Sequence, residues 1–272
     1  MKGIAFGQYY PASSPLHRLD PRIKLILTVL YIVCSFLCRN ILSYALLLLS
    51  TMLLVAFGRV PLKIILKGLK PVLFVIAFTA VLNIFWTEGE MLLFEWKFIR
   101  IYAEGLYAAL FIMIRIAVLI IGTGMLLTYT TTPIALTNAI EDLLSPLKKL
   151  HVPVHSFAMM MTIALRFIPT LSEECERIMT AQKARGADFS SGGLIQRAKA
   201  LIPVLIPLFV SAFNRAGDLA TAMECRCYNG GEGRTRMNVR HLRFVDFIPL
   251  IVIIAFGAGL ITLNILGIGY TA

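Results

Sequence analysis

Charge is what this 272-residue chain has least of. Asp, Glu, Lys and Arg make up 15% of it, against 58% hydrophobic residues. A soluble domain of that length needs far more polar surface to cover itself, so the composition excludes one and fits a chain embedded in lipid. Acidic residues are the scarcer sign, 15 against 26 basic ones, which leaves a formal net charge of +11. That excess comes without a basic stripe interleaved with stacking aromatics, and no nucleic-acid partner is expected. The G-x-x-x-x-G-K-S/T phosphate loop is absent, so the chain is not expected to bind ATP itself. No Ser/His/Asp set or carboxylate pair lies beside an apolar run, and neither catalysis nor a cofactor is expected. The five cysteines form no disulfide framework. Cys34 and Cys38 sit four apart in an apolar run, while Cys175, Cys225 and Cys227 fall in a basic stretch where reduced thiols are expected. Residues 1–22 carry Lys2, Arg18 and Arg22 and lack the apolar core of a cleavable leader.

What is present is a series of apolar runs, at 23–38, 41–57, 71–86, 105–127 and 245–267. Crossing a bilayer takes ~20 residues of helix, so the first three need flanking residues to reach across. The expected fold is all-α and polytopic, with about five transmembrane helices and long cytoplasmic coupling helices. Three regions are expected: a lead-in with four spans over 1–127, a cytoplasmic or interfacial region over 128–243, and a last span over 244–272. The loop 58–70 is basic (Arg59, Lys63, Lys67, Lys70), whereas 87–104 is acidic and aromatic and suits an exposed loop. Residues 1–24 hold four Lys/Arg, 58–70 hold four and 128–243 hold fourteen, while the opposite side holds only Arg39, Lys97 and Arg100. The positive-inside rule then puts the N-terminus and the basic stretch in the cytoplasm, and five spans put the C-terminus outside.

The basic stretch has its own helical grammar. Residues 133–150 open on Thr132-Pro133 as an amphipathic helix, and 154–165 and 201–213 are apolar runs suited to the membrane interface. A helix is expected from Pro169-Thr170, with Glu173, Glu174 and Glu176 near its positive end and Lys183 and Arg185 at its negative end before Gly186. After a turn at 186–193, a second helix is expected from Leu194, kinked at Pro203 and Pro207 and ending near Asn229-Gly230-Gly231. At 1.5 Å per residue it is about 50 Å long, with Arg185 beside its start and Arg226 near its far end. Arginines tens of Å apart do not build one small-molecule site; they suit two equivalent sites on a dimeric partner.

Four segments resemble a known family, the transmembrane T component (EcfT, CbiQ-like) of energy-coupling factor transporters, a micronutrient-importing branch of the ABC transporters. They are Leu19-Asp20-Pro21-Arg22-Ile23-Lys24-Leu25, Ala164-Leu165-Arg166-Phe167-Ile168-Pro169, Gln182-Lys183-Ala184-Arg185-Gly186-Ala187-Asp188 and Ala222-Met223-Glu224-Cys225-Arg226-Cys227-Tyr228. The resemblance implies that coupling helices sit on two ABC ATPase subunits, each arginine motif entering a groove in one of them. The ATPase-coupling residues it implies are Ala184, Arg185 and Gly186 in the first motif and Cys225, Arg226 and Cys227 in the second. It also implies a small membrane-embedded, substrate-binding S component packed on the T component, and a prokaryotic cell membrane as the location. The second motif departs from the family's usual Ala-Arg-Gly, with cysteines on both sides of its arginine.

Plainer alternatives stand beside these. Arg185 and Arg226 also fit as cationic helix caps. Cys225 and Cys227 with His241 make half a metal site at most, with no second Cys pair. His151 and His155 have the spacing of two ligands on one helical face, but Pro153 interrupts it and no acidic third ligand is expected nearby. Arg115, inside the fourth apolar run, is a functional candidate, a residue that snorkels to the interface, or one paired with a backbone carbonyl. Met159-Met160-Met161 suits either adaptable packing on a partner or ordinary core. Three functions compete: a non-catalytic coupling subunit, a self-sufficient ABC-type permease with its own substrate path, and an intramembrane enzyme. The second lacks intramembrane polar groups to line a route, and the third lacks catalytic groups.

Overall fold

The computed structural model describes residues 9–87, 92–96, 99–150, 152–189, 191, 193–230 and 242–266. The chain is a polytopic, all-α membrane protein. Its helices are α1 (Pro15–Arg18), α2 (Pro21–Leu37), α3 (Ile41–Gly58), α4 (Leu62–Trp86), α5 (Ala103–Thr123), α6 (Pro133–Leu143), α7 (Val154–Ala184), α8 (Leu194–Cys225) and α9 (Phe244–Ile265). A π-helical turn, Gly124–Thr128, extends α5, and a 3-10 segment, Ser145–Leu150, follows α6. In the stretch expected as a loop, two short strands, β1 (Leu92–Trp96) and β2 (Ile99–Tyr102), pair antiparallel; residues 88–91 and 97–98 lie outside the described residues.

Among the described residues, six helices are long and apolar enough to cross a membrane: α3, α4, α5 with its π turn, α7, nearly all of α8, and α9. The expected count of five was therefore approximate. The first expected span is α2, whose 17 residues reach only about 26 Å. The two extra candidates take in the apolar runs: 201–213 lies inside α8, as the expected second helix has it, while 154–165 is the first part of α7 and not a segment separate from the helix expected at Pro169. Proline explains the misplacement. Pro71, Pro169, Pro203, Pro207 and Pro249 all lie inside helices, where each removes one backbone donor without ending the helix. For the same reason α4 starts at Leu62, so Lys63, Lys67 and Lys70 occupy its first turns and not a loop. The 133–150 helix is in fact two pieces. Thr132 Oγ1 accepts from the Ala135 amide to start α6, and the 3-10 segment begins one residue before Pro146.

The chain divides into two compact units, residues 1–139 with 240–272, and residues 140–239. The first packs α4 on α5, α2 on α9 and α5, and α3 on α5. Its core includes Tyr31, Cys34, Tyr44, Leu47, Phe111, Val118 and Leu260. The Leu19–Leu25 motif opens α2. Asp20 Oδ1 caps it by accepting from the Arg22 amide at 2.9 Å, with Pro21 as the first helical residue. One turn on, Lys24 is 1% exposed. Its ammonium donates to the Thr130 carbonyl at 2.9 Å and to Thr130 Oγ1 and Thr131 Oγ1, each at 3.2 Å. A buried ammonium is tolerated only when its donors are used, and here they tie the start of α2 to the chain beyond α5.

Arg115 has a structural part of the same kind. Its Nη2 donates to the Cys38 carbonyl at 2.9 Å and to the Tyr44 hydroxyl, and the guanidinium lies over the Tyr44 ring at 5.5 Å. Of the three readings of it, the carbonyl pairing is the one observed. At the same end of this unit, Asn264 Nδ2 donates to the Leu37 carbonyl at 2.7 Å, joining α9 to the α2–α3 link.

Candidate functional site

The second unit is built on α7 and α8, of 31 and 32 residues, or about 46 and 48 Å. They run antiparallel. Glu174 of α7 meets Ser211 and Arg215 of α8, while Gln182, two turns further along α7, approaches the Pro203 carbonyl, three turns earlier in α8, at 3.5 Å. That carbonyl is available because the residue four ahead of it is Pro207, which has no N–H to give. The side of α8 carrying Ile206, Phe209, Val210 and Phe213 is exposed and apolar, with the Phe209 and Phe213 rings 5.9 Å apart. Met160 and Met161 of α7 are also exposed.

Both candidate motifs are helix C-termini of one design. In α7, Arg185 is the C-cap and Gly186 follows in the left-handed region at φ 87°. The Gly186 amide donates to the Lys183 carbonyl at 3.0 Å and the Ala187 amide to the Gln182 carbonyl at 3.0 Å. In α8, Arg226 is the C-cap and Cys227 follows at φ 56°. The Cys227 amide donates to the Glu224 carbonyl at 2.8 Å and the Tyr228 amide to the Met223 carbonyl at 3.0 Å. This is the Schellman arrangement twice, residue for residue, at an offset of 41 positions. The correspondence extends backward. Thr180 Oγ1 donates to the Glu176 carbonyl at 2.8 Å, and Thr221 Oγ1 to the Gly217 carbonyl at 3.0 Å. The shared pattern Thr-Ala-x-x-x-Arg, at 180–185 and 221–226, is the signal of this likeness in the sequence, set among dissimilar residues.

This register corrects the expected end of the second helix. It stops at Cys225, not near Asn229, because Cys227 takes the left-handed position that Gly186 fills in α7. A side chain there costs about 1 kcal/mol relative to glycine. Cys227→Gly is therefore expected to slow hydrogen exchange of the last turn of α8, and Gly186→Ala to speed it in α7, where an added Cβ meets nothing within 4 Å and only the backbone is strained.

Ala184, Arg185, Gly186, Cys225, Arg226 and Cys227 are all exposed. Neither arginine side chain makes a hydrogen bond or ion pair to another described residue, so both guanidinium forks are available for an outside acceptor. The structure does not bring the two together; they cap opposite ends of the antiparallel pair. His155, considered above as a metal ligand, has the acidic neighbour that was not expected: its Nδ1 lies 3.0 Å from Glu141 Oε1. His151 and His241 lie outside the described residues. Among the described residues, no three His, Cys, Asp or Glu side chains gather as metal ligands.

Comparison with known proteins bears on the same residues. The sequence model of the family described as CbiQ, cobalt transport protein, matches residues 12–237, which takes in both arginine caps and the α2 motif. The chain is 55% identical over 251 residues to the energy-coupling factor transporter transmembrane protein EcfT of Ruminiclostridium cellulolyticum, covering 92% of each chain. It is 51% identical over 236 residues to the protein of that name from Bacillus subtilis, covering 87% of this chain and 89% of the relative. To that of Streptococcus equi subsp. equi it is 43% identical over 264 residues, covering 97% and 98%.

Proposed function

This chain belongs to the family of energy-coupling factor transporter transmembrane proteins, and from that premise we propose that it is the non-catalytic coupling subunit of an ABC-type importer. Two partner ATPase subunits hydrolyse ATP, and the chain passes their closure to a membrane-embedded S component that binds a vitamin or other micronutrient. The observation that carries this most is the pair of matching caps. One partner surface used twice, as in a dimer of ATPases, calls for two copies of one docking shape, well separated, and the exposed ends of α7 and α8 offer that. A guanidinium presents five donors in a fixed fork, suited to carboxylates or carbonyls lining a groove. The small neighbours Ala184, Gly186, Cys225 and Cys227 let such a groove close around it.

The exposed apolar side of α8 suits the S component or lipid, since an apolar surface of that extent does not stay in water. On this reading α7 and α8, though long and apolar enough to cross, lie along the cytoplasmic face on the same side as the N-terminus, because crossing would put the two caps on opposite sides of the membrane and only one of them where ATP is. A thiol probe that cannot cross the membrane, applied to sealed cells carrying single cysteines, is expected to label 87–104 and to miss positions near Asp188; labelling at both sites refutes the orientation. Purification in mild detergent tests the function itself. Two ATPase subunits and a small hydrophobic protein are expected to co-elute, whereas substrate binding by this chain alone supports the self-sufficient permease.

A further inference from the structure

Where α7 crosses α8, Glu174 is held by two donors from the other helix. Ser211 Oγ donates to Glu174 Oε1 at 2.7 Å and Arg215 Nη2 to Glu174 Oε2 at 2.7 Å, while Arg215 Nε reaches Ser211 Oγ at 3.5 Å. Each carboxylate oxygen has its own partner, which fixes the carboxylate plane and with it the spacing of the two helix axes. An ion pair as exposed as this one, with side chains 41% and 25% accessible for Arg215 and Glu174, adds little stability. Its position matters more than its strength. Glu174 precedes Arg185 by eleven residues, and Arg215 precedes Arg226 by eleven, so the two arms are equal at about 16 Å each. Because the helices are antiparallel, the arms leave the contact in opposite directions.

We infer that the Glu174–Ser211–Arg215 network is the fulcrum of the hairpin: positioning residues that hold α7 and α8 at one crossing point, so that a displacement of either capped end is passed to the other instead of being lost as sliding between the helices. Among the described residues, few other polar contacts join the pair. The Gln182 approach to the Pro203 carbonyl, at 3.5 Å, lies on one side of the crossing only. Apolar side chains tolerate sliding along a helix, whereas a carboxylate bonded at both oxygens tolerates little.

The inference rests on the coupling function proposed above, and the test separates the two. The complex is purified from its native host with wild-type chain, Glu174→Gln, Arg215→Gln, or the exchange Glu174→Arg with Arg215→Glu, then reconstituted. ATPase co-purification, hydrolysis rate and substrate moved per ATP are measured. Both single variants are expected to keep the ATPases and hydrolyse normally but to lose substrate moved per ATP. The exchange is expected to restore most of that loss. An unchanged ratio in the singles, or a loss that the exchange does not repair, overturns the fulcrum and leaves the coupling function standing. That function fails separately, if wild-type chain brings down no ATPase. Should the single variants not accumulate, Ser211→Ala removes one bond and keeps the ion pair; a lowered ratio supports the fulcrum, and an unchanged one overturns it.

Discussion

Arg185→Ala combined with Arg226→Ala is expected to abolish uptake and to release the ATPase subunits, while the chain still accumulates in the membrane. The chain survives because the caps are made by backbone. The bonds from Gly186, Ala187, Cys227 and Tyr228 close both helix ends without either guanidinium. Both side chains are exposed and bond no other described residue, so truncation leaves no buried partner orphaned within the chain. In a docked complex the balance reverses, since removing one member of a desolvated charge pair costs about 2–5 kcal/mol. Either single change then weakens one contact by about thirtyfold or more. The intact contact keeps the other end at high effective concentration, so the singles are expected to retain part of the assembly and the double to lose it. Lysine at either position is expected to rescue only partly, because it lacks the fork. Uptake and co-purified ATPase, measured for the two singles and the double, decide between a docking role and a cap. Normal transport by the double leaves the arginines as caps alone.

The second large effect lies in the membrane unit. A Cβ placed on Gly122 falls 2.2 Å from Tyr31 Cε1, 2.5 Å from Cζ and 2.7 Å from the hydroxyl. Tyr31 cannot swing away, being 2% exposed within the core, with its hydroxyl 2.9 Å from Thr51 Oγ1. Gly122→Ala is therefore expected to force α2 and α5 apart, at about 1–3 kcal/mol for an overpacked core, and Gly122→Val more. Gly259→Ala, in the same unit, adds a Cβ with no atom within 4 Å and serves as the neutral control. Thermal unfolding of the detergent-purified chain is expected to rank them Gly122→Val lowest, then Gly122→Ala, with Gly259→Ala at or above wild type.

Composition and apolar run length made the membrane class and the spans α3, α4, α5 and α9 legible, since crossing a bilayer demands long uninterrupted apolar helix. They did not show where helices end around proline. In water a proline usually marks a boundary, and the expected helix start at Pro169-Thr170 rests on that, whereas Pro203 and Pro207 are expected as kinks inside one helix. Here α7 and α8 run through them, and one freed carbonyl, that of Pro203, faces Gln182. The candidate arginines and the shared pattern around them are legible in the sequence, but the identical backbone bonding of the two caps is not. That required seeing cysteine at position 227 in a backbone conformation usually left to glycine. The Glu174–Arg215 pair was out of reach for a different reason: partners 41 residues apart are joined only by the hairpin, and no local spacing announces them. Lys24 was counted among cytoplasmic surface charges, and its burial against Thr130 and Thr131 shows how a charge census overlooks tertiary contacts.

The most direct measurement is photocross-linking from the caps themselves. A photoreactive amino acid is placed at position 184 or 225, beside each arginine, in chain expressed with its native partners, and the adducts are identified by mass spectrometry. Coupling through the two ends of the hairpin predicts adducts with an ATPase subunit from both positions, each weakened when the neighbouring arginine is replaced by alanine and both lost when both are replaced. Adducts confined to lipid or to the chain itself, with no ATPase captured from either position, contradict it.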